Sequence, residues 1–229
     1  MTIRTVLFDL EGTLIDGAAA HERALDEVFQ VLLRFRPKLT RAGLERQFAG
    51  SLRMSVRGRT GVPASPQAIY TERFKRTLTW LGQEDDNLAV RLGRLYASLV
   101  LDRAAAYPDA LETLPLLARL ATLVVVANGR QADIERQLQA AGLAQWITTV
   151  VASEDADVVK PAPALVIQAL QQTETAAADA LLVGDSPESD IAAGQAASVP
   201  TAWLNRSRRV WPEGVPAPGQ TIRRLTDLL

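Results

Sequence analysis

Val6-Leu7-Phe8-Asp9-Leu10-Glu11-Gly12-Thr13-Leu14 is the stretch on which the reading of this 229-residue chain turns. A short apolar run near the start ends abruptly in two acidic residues spaced i, i+2, followed by Gly and Thr. A run of this length reads as a buried strand. Unpaired carboxylates at the exit of a buried strand are costly unless a partner offsets them. Strand periodicity puts residues i and i+2 on one face. Asp9 and Glu11 are therefore expected to point the same way from the C-terminal edge of a sheet, where ligands bind in open α/β folds.

Outward from this stretch the chain changes character twice. Over residues 17–103 apolar residues recur at helical spacing, as in Leu25, Val28, Phe29, Leu32 and Leu33. Breaks fall at Arg36-Pro37, Gly61-Val62-Pro63 and Gly82. The pattern predicts four helices, over 21–36, 41–48, 67–81 and 88–103, and no strand. From Tyr107 onward, apolar strands (123–126, 148–152, 180–183, 201–204) alternate with amphipathic helices (131–141, 162–172, 189–197). Continuous apolar strands alternating with helices specify a parallel, doubly wound sheet. The predicted architecture is an α/β Rossmann-type core, residues 1–16 and 104–229, with an inserted α-helical domain at 17–103. A Pro- and Gly-rich tail follows Asn205 and ends in a short helix.

Composition narrows the function. The net charge is −1, which gives no electrostatic footprint for nucleic acid. There is no cysteine, so disulfides, thiolate nucleophiles and cysteine-ligated metals are excluded. His21 is the one histidine and cannot by itself build an imidazole metal site; a surface helix position is expected for it. No apolar run is long enough to span a membrane, and a soluble cytoplasmic protein is the expectation. Lysine is rare, at Lys38, Lys75 and Lys160. A compact ammonium in an Arg-rich chain hints at a specific use.

The polar residues that punctuate the strand ends converge. The first strand ends in Asp9 and Glu11, the second in Asn128-Gly129 and the fourth in Asp185, with Glu188 and Asp190 behind it; Lys160 lies in the loop after the third. Several carboxylates around one point repel one another unless a cation balances them. Mg2+, a hard cation with oxygen ligands, suits Asp9 and Asp185, and Lys160 adds a positive charge. Such a site fits a phosphoryl group, with a carboxylate as nucleophile and a second as acid and base. Arg53, Arg57 and Arg59 could meet an anionic substrate, but a solvated Arg-rich face explains them equally well. Glu188 reads as solvated, and Trp203 and Trp211 as packing.

Asp9-x-Glu11-Gly12-Thr13, Asn128-Gly129, Lys160-Pro161 and Gly184-Asp185-x-x-x-x-Asp190 resemble the four motifs of the haloacid dehalogenase (HAD) superfamily, in order and on the expected elements. The helical insert resembles the cap of its α-helical-cap subfamily. The resemblance implies Asp9 as nucleophile, Glu11 as general acid/base with its backbone carbonyl on Mg2+, and Lys160 holding the phosphoryl oxygens and the nucleophile's charge. It further implies Asp185 on the metal, Asp190 on it through water or orienting Lys160, and Asn128 and Gly129 donating to phosphate. The implied activity is a Mg2+-dependent phosphomonoesterase acting on a small phosphorylated metabolite.

Two positions depart from the family pattern. Glu11 stands where the phosphatases usually have Asp, although the enolase-phosphatase branch also uses Glu. The dehalogenase branch has an aromatic residue there and needs no metal, so Glu11 and Asp185 place dehalogenation last. Ala127 stands where Ser or Thr usually donates to the phosphate. Loss of such a bond to a charged group costs about 1.5–3 kcal/mol. A catalytically weakened binding or regulatory protein is the competing expectation.

Overall fold

The computed structural model describes residues 2–35, 39–55, 66–153 and 159–229. Lys38, Arg57, Arg59 and the breaks at Pro37 and Gly61-Val62-Pro63 lie outside them, as does the Arg53 side chain. The chain divides into two compact units, Met1–Gly17 with Ala104–Leu229, and Ala18–Arg103.

The first unit is built on a six-stranded sheet in which every pairing is parallel. Its strands are β1 (Thr5–Phe8), β2 (Thr122–Asn128), β3 (Thr149–Ser153), β4 (Ala180–Gly184), β5 (Thr201–Leu204) and β6 (Gln220–Ile222), in the order β3-β2-β1-β4-β5-β6. β1 pairs on one side with β2 and on the other with β4. The connections leaving these strands wind in opposite directions, which opens a crevice at the carboxyl end of β1. Period-two alternation splits the β1 side chains between two cores. Val6 and Phe8 pack with Leu114, Ile134 and Leu138 on one face, and Leu7 packs with Leu165, Val166 and Leu182 on the other.

The sequence pattern and the structure differ in several places; the helix expected at 41–48 runs on to Ser55, and the one expected from 21 begins at Gly17. β1 ends at Phe8, so Asp9 and Glu11 sit in the turn beyond it and are not placed by strand periodicity. The helix predicted at 189–197 begins as a π-helical turn, Pro187–Ile191, and only Ala192–Ala196 is α-helical. The terminal helix is a 3-10 segment, Leu225–Leu228. β6 was hidden in the Pro- and Gly-rich tail, since three residues carry too little periodicity to be read.

The second unit contains α1 (Gly17–Phe35, entering from the first), α2 (Arg41–Ser55), α3 (Pro66–Trp80) and α4 (Asp86–Asp102). Asp85 caps α4 by accepting the Leu88 N–H at 2.8 Å; an Asp at that position satisfies a donor the helix leaves open. Val28, Phe29, Leu44, Phe48, Phe74, Leu92 and Tyr96 form the core. His21 is half-buried rather than a surface residue, with Nδ1 3.0 Å from the Tyr96 hydroxyl. Arg73 is also drawn in. Its guanidinium lies 3.6 Å from the Phe48 ring centroid and donates to the Phe48 carbonyl.

Phe74 is fully buried, with its ring 5.0 Å from Phe48 and 5.8 Å from Tyr96. Phe74→Ala is expected to destabilise this unit by about 3–5 kcal/mol, read as an earlier urea midpoint with helical circular dichroism as the probe. A midpoint shift equivalent to under about 1 kcal/mol would contradict this packing.

Candidate active site

Three strand ends meet in the crevice. Asp9 follows β1, Asn128 ends β2 and Asp185 follows β4; Lys160 enters from the loop before the helix Ala164–Gln172. Together with Glu11, Ala127, Gln137, Ser186 and Asp190 they line a cavity of about 330 Å³.

Lys160 is at the centre. Its Nζ donates to Asp9 Oδ1 at 2.7 Å, to Asp190 Oδ1 at 2.7 Å and to the Val126 carbonyl at 2.8 Å. An ammonium has three donors and no acceptor, so its capacity is filled. Only 4% of the residue is exposed. Burial alone would favour the neutral amine, but Asp9 and Asp190 outweigh it and hold the Lys160 pKa above its ordinary value.

Asn128 positions this lysine. Its Oδ1 accepts the Lys160 N–H at 2.8 Å and its Nδ2 donates to the Lys160 carbonyl at 3.3 Å. The side chain expected to meet phosphate therefore grips the lysine backbone. Gly129, at φ 135, directs its N–H to Ser153 Oγ at 3.3 Å.

Asp190 is committed on both oxygens, with Lys160 on Oδ1 and the Ser186 N–H on Oδ2 at 3.0 Å. Its neighbours impose a small residue at Gly184, where a Cβ would collide with the Asp190 carboxylate. Gly12, at φ +83, is similarly constrained, because a Cβ there would meet the Asp185 carboxylate at 2.8 Å.

Glu11 reaches the same cavity by a different route. Its Oε1 accepts from Gln137 Nε2 at 3.0 Å, and Gln137 is buried on the helix Gln131–Ala140. Gln137 was missed in the sequence, although a polar residue on the apolar stripe of Ile134 and Leu138 is a usable signal. Also missed were Ser186, and Trp203, whose Nε1 donates to the Asp185 carbonyl at 3.0 Å. Glu188 is exposed, as expected.

Carboxylate oxygens of Asp9, Asp185 and Asp190 lie within 4.8 Å of one another. An all-oxygen anionic donor set of this kind suits Mg2+. Burial, followed by the charge of Asp190, lifts the Asp9 pKa to about 7 against the opposing pull of Lys160. Asp185 is raised for the same two reasons, with Arg209 opposing.

A profile of the haloacid dehalogenase-like hydrolases matches residues 3–198. The chain belongs to that family. It is 29% identical to the ribulose-1,5-bisphosphate 5-phosphatase of Halopiger xanaduensis, across 88% of this chain and 84% of that one. It is 31% identical to the Escherichia coli pyrimidine 5'-nucleotidase YjjG, across 60% of this chain and 61% of that relative. The Bacillus subtilis protein YfnB, whose crystal structure holds magnesium, superposes with a TM-score of 0.78 at 25% identity over 100% of this chain and 97% of that one. A 2-haloacid dehalogenase from Pseudomonas syringae superposes with a TM-score of 0.68 at 27% identity over 99% and 96%. The chain is thus a HAD-like hydrolase, with both phosphatases and dehalogenases among its relatives.

A carboxyl group whose folded pKa is raised favours the fold while it is protonated. That contribution is complete below the unfolded value of 3.8 and is lost as pH rises through about 7. In chelator, the melting temperature is therefore expected to fall between pH 5 and pH 8, and Asp9→Asn should flatten that slope. Thermal melts of the two proteins across this window check it; equal slopes would contradict the raised Asp9.

Proposed function

We propose that this hydrolase is a Mg2+-dependent phosphomonoesterase acting on a small phosphorylated metabolite, with residues 17–103 as its cap domain. One observation carries the reading: a carboxylate at the β1 exit, Asp9, shares a cavity with Asp185 and with a buried ammonium that is 2.7 Å away. The phosphatases among the relatives support it.

In this reading an Asp9 oxygen attacks phosphorus, forming the aspartyl-phosphate bond as the ester P–O bond breaks. Glu11, steadied by Gln137, gives its proton to the departing alkoxide. It then takes a proton from water, whose oxygen attacks phosphorus and breaks the Asp9–phosphate bond, releasing inorganic phosphate and restoring Asp9. Lys160 keeps Asp9 oriented and balances negative charge on the transferring group. Asp9, Asp185 and the Glu11 carbonyl would hold Mg2+, with Asp190 joining through water or orienting Lys160, and the ion would supply further positive charge against the phosphoryl oxygens.

Ala127 offers no hydroxyl to this site, and Asn128 is engaged with Lys160, so fewer side-chain donors face the phosphate. The enzyme is accordingly expected to be slow.

Hydrolysis of p-nitrophenyl phosphate with Mg2+ is expected, and it should be lost in Asp9→Asn and on chelation. Equal rates for wild type and Asp9→Asn would end the proposal, and metal-independent halide release from a 2-haloacid would replace it. Ala127→Thr should raise the rate by about one to two powers of ten, the worth of one charge-assisted hydrogen bond made in the transition state.

A further inference from the structure

Arg206 lies beyond residues 3–198, the part of the chain that the family profile covers. Its side chain is nonetheless turned back onto the loop that follows Asp9. Nη2 donates to the Thr13 carbonyl at 2.8 Å and Nε to the Gly12 carbonyl at 3.3 Å. The same guanidinium is clamped by Asp109, with Nη1 on Oδ2 at 2.8 Å and Nη2 on Oδ1 at 3.0 Å. It also lies 4.0 Å from the Tyr107 ring centroid. Asp109 is fixed in turn by the Leu225 N–H at 2.8 Å. A planar fork with four hydrogen bonds and an aromatic floor is a geometry that arginine provides and lysine does not.

The Gly12 turn held in this way packs directly on Asp185, since a Cβ on Gly12 would meet that carboxylate. The segment around Arg206 braces Asp185 as well. Trp203 Nε1 donates to the Asp185 carbonyl at 3.0 Å, and Arg209 Nη2 reaches the same oxygen. One C-terminal segment therefore fixes both walls of the acidic cluster, the turn after Asp9 and the backbone of Asp185.

We propose that Arg206 is a positioning residue that sets the spacing between the Asp9 turn and Asp185, and through it the affinity of the cluster for Mg2+. The proposal rests on the metal assignment above for its second half only; the hold on the turn stands without it. Groups that orient metal ligands from outside the ligand set typically change metal affinity by about 10–100-fold when removed.

The test uses the full chain and Mg2+ alone. Isothermal titration with MgCl2 is expected to show about tenfold weaker binding in Arg206→Ala. Millimolar guanidinium chloride should restore much of the affinity, a rescue that a merely structural role would not give. Arg206→Lys should stay weak, because one ammonium cannot replace the fork. Hydrogen exchange in Arg206→Ala should speed up at the amides of residues 10–14 and stay unchanged in β2 and β3. Trp203→Phe keeps an aromatic side chain but drops the Nε1 bond to the Asp185 carbonyl. It should weaken Mg2+ binding about threefold, and it covers the case in which Arg206→Ala does not fold. Wild-type Mg2+ affinity in the folded Arg206 and Trp203 variants overturns the proposal, as does unchanged exchange at residues 10–14. A wild type that binds no Mg2+ but shows the exchange change in Arg206→Ala overturns the metal assignment and keeps the hold on the turn.

Discussion

The Lys160 ammonium is the constraint around which the catalytic edge is arranged. A buried cation survives only where acceptors replace the water it has lost. Asp9, Asp190 and the Val126 carbonyl match its three N–H groups. Removing one partner of such a buried pair costs about 3–5 kcal/mol, because the other charge is left uncompensated. The site is therefore tied to the fold. Asp9 hangs from β1, Val126 belongs to β2, and Asp190 sits in the π-helical turn after β4, so three neighbouring segments must be in register before the lysine is satisfied.

The surroundings of Lys160 show why short side chains recur at this edge. Gly184 leaves room for the Asp190 carboxylate and Gly12 leaves room for that of Asp185. Asn128 spends its side chain on the Lys160 backbone, so the lysine is held at both its main chain and its tip. Glu11 has a separate support in Gln137, on a helix of the same unit. The acid that is one methylene longer than the usual Asp thus comes with a donor placed to steady it.

Legibility in the sequence followed the range of the forces involved. The strands β1, β2 and β4 are continuous apolar runs, and the helices of 17–103 repeat at 3.6 residues, so local pattern carries both. β6, the π-helical turn at Pro187–Ile191 and the end of β1 at Phe8 are fixed by neighbours in space. Asp9 and Asp185 stood out because charge at the end of an apolar strand is conspicuous, Lys160 because lysine is rare in an Arg-rich chain, and Asp190 by its place behind Asp185 in the motif order. Gln137, Trp203 and Arg206 carry no such mark. A buried Gln, a strand Trp and a tail Arg look ordinary until the chain brings them to the carboxylates.

By itself the sequence determined the α/β class, the helical insert and the identity of the charged groups at the sheet edge, because those depend on hydrophobic period and on residue type in order along the chain. Tertiary structure alone decided the pairings. It set Lys160 between Asp9 and Asp190, tied the Asn128 side chain to the lysine backbone at the cavity wall, gave Glu11 to Gln137, and folded Arg206 back across 193 residues to Thr13. Hydrogen bonds act over about 3 Å, so which donor meets which acceptor is settled only when distant segments have packed.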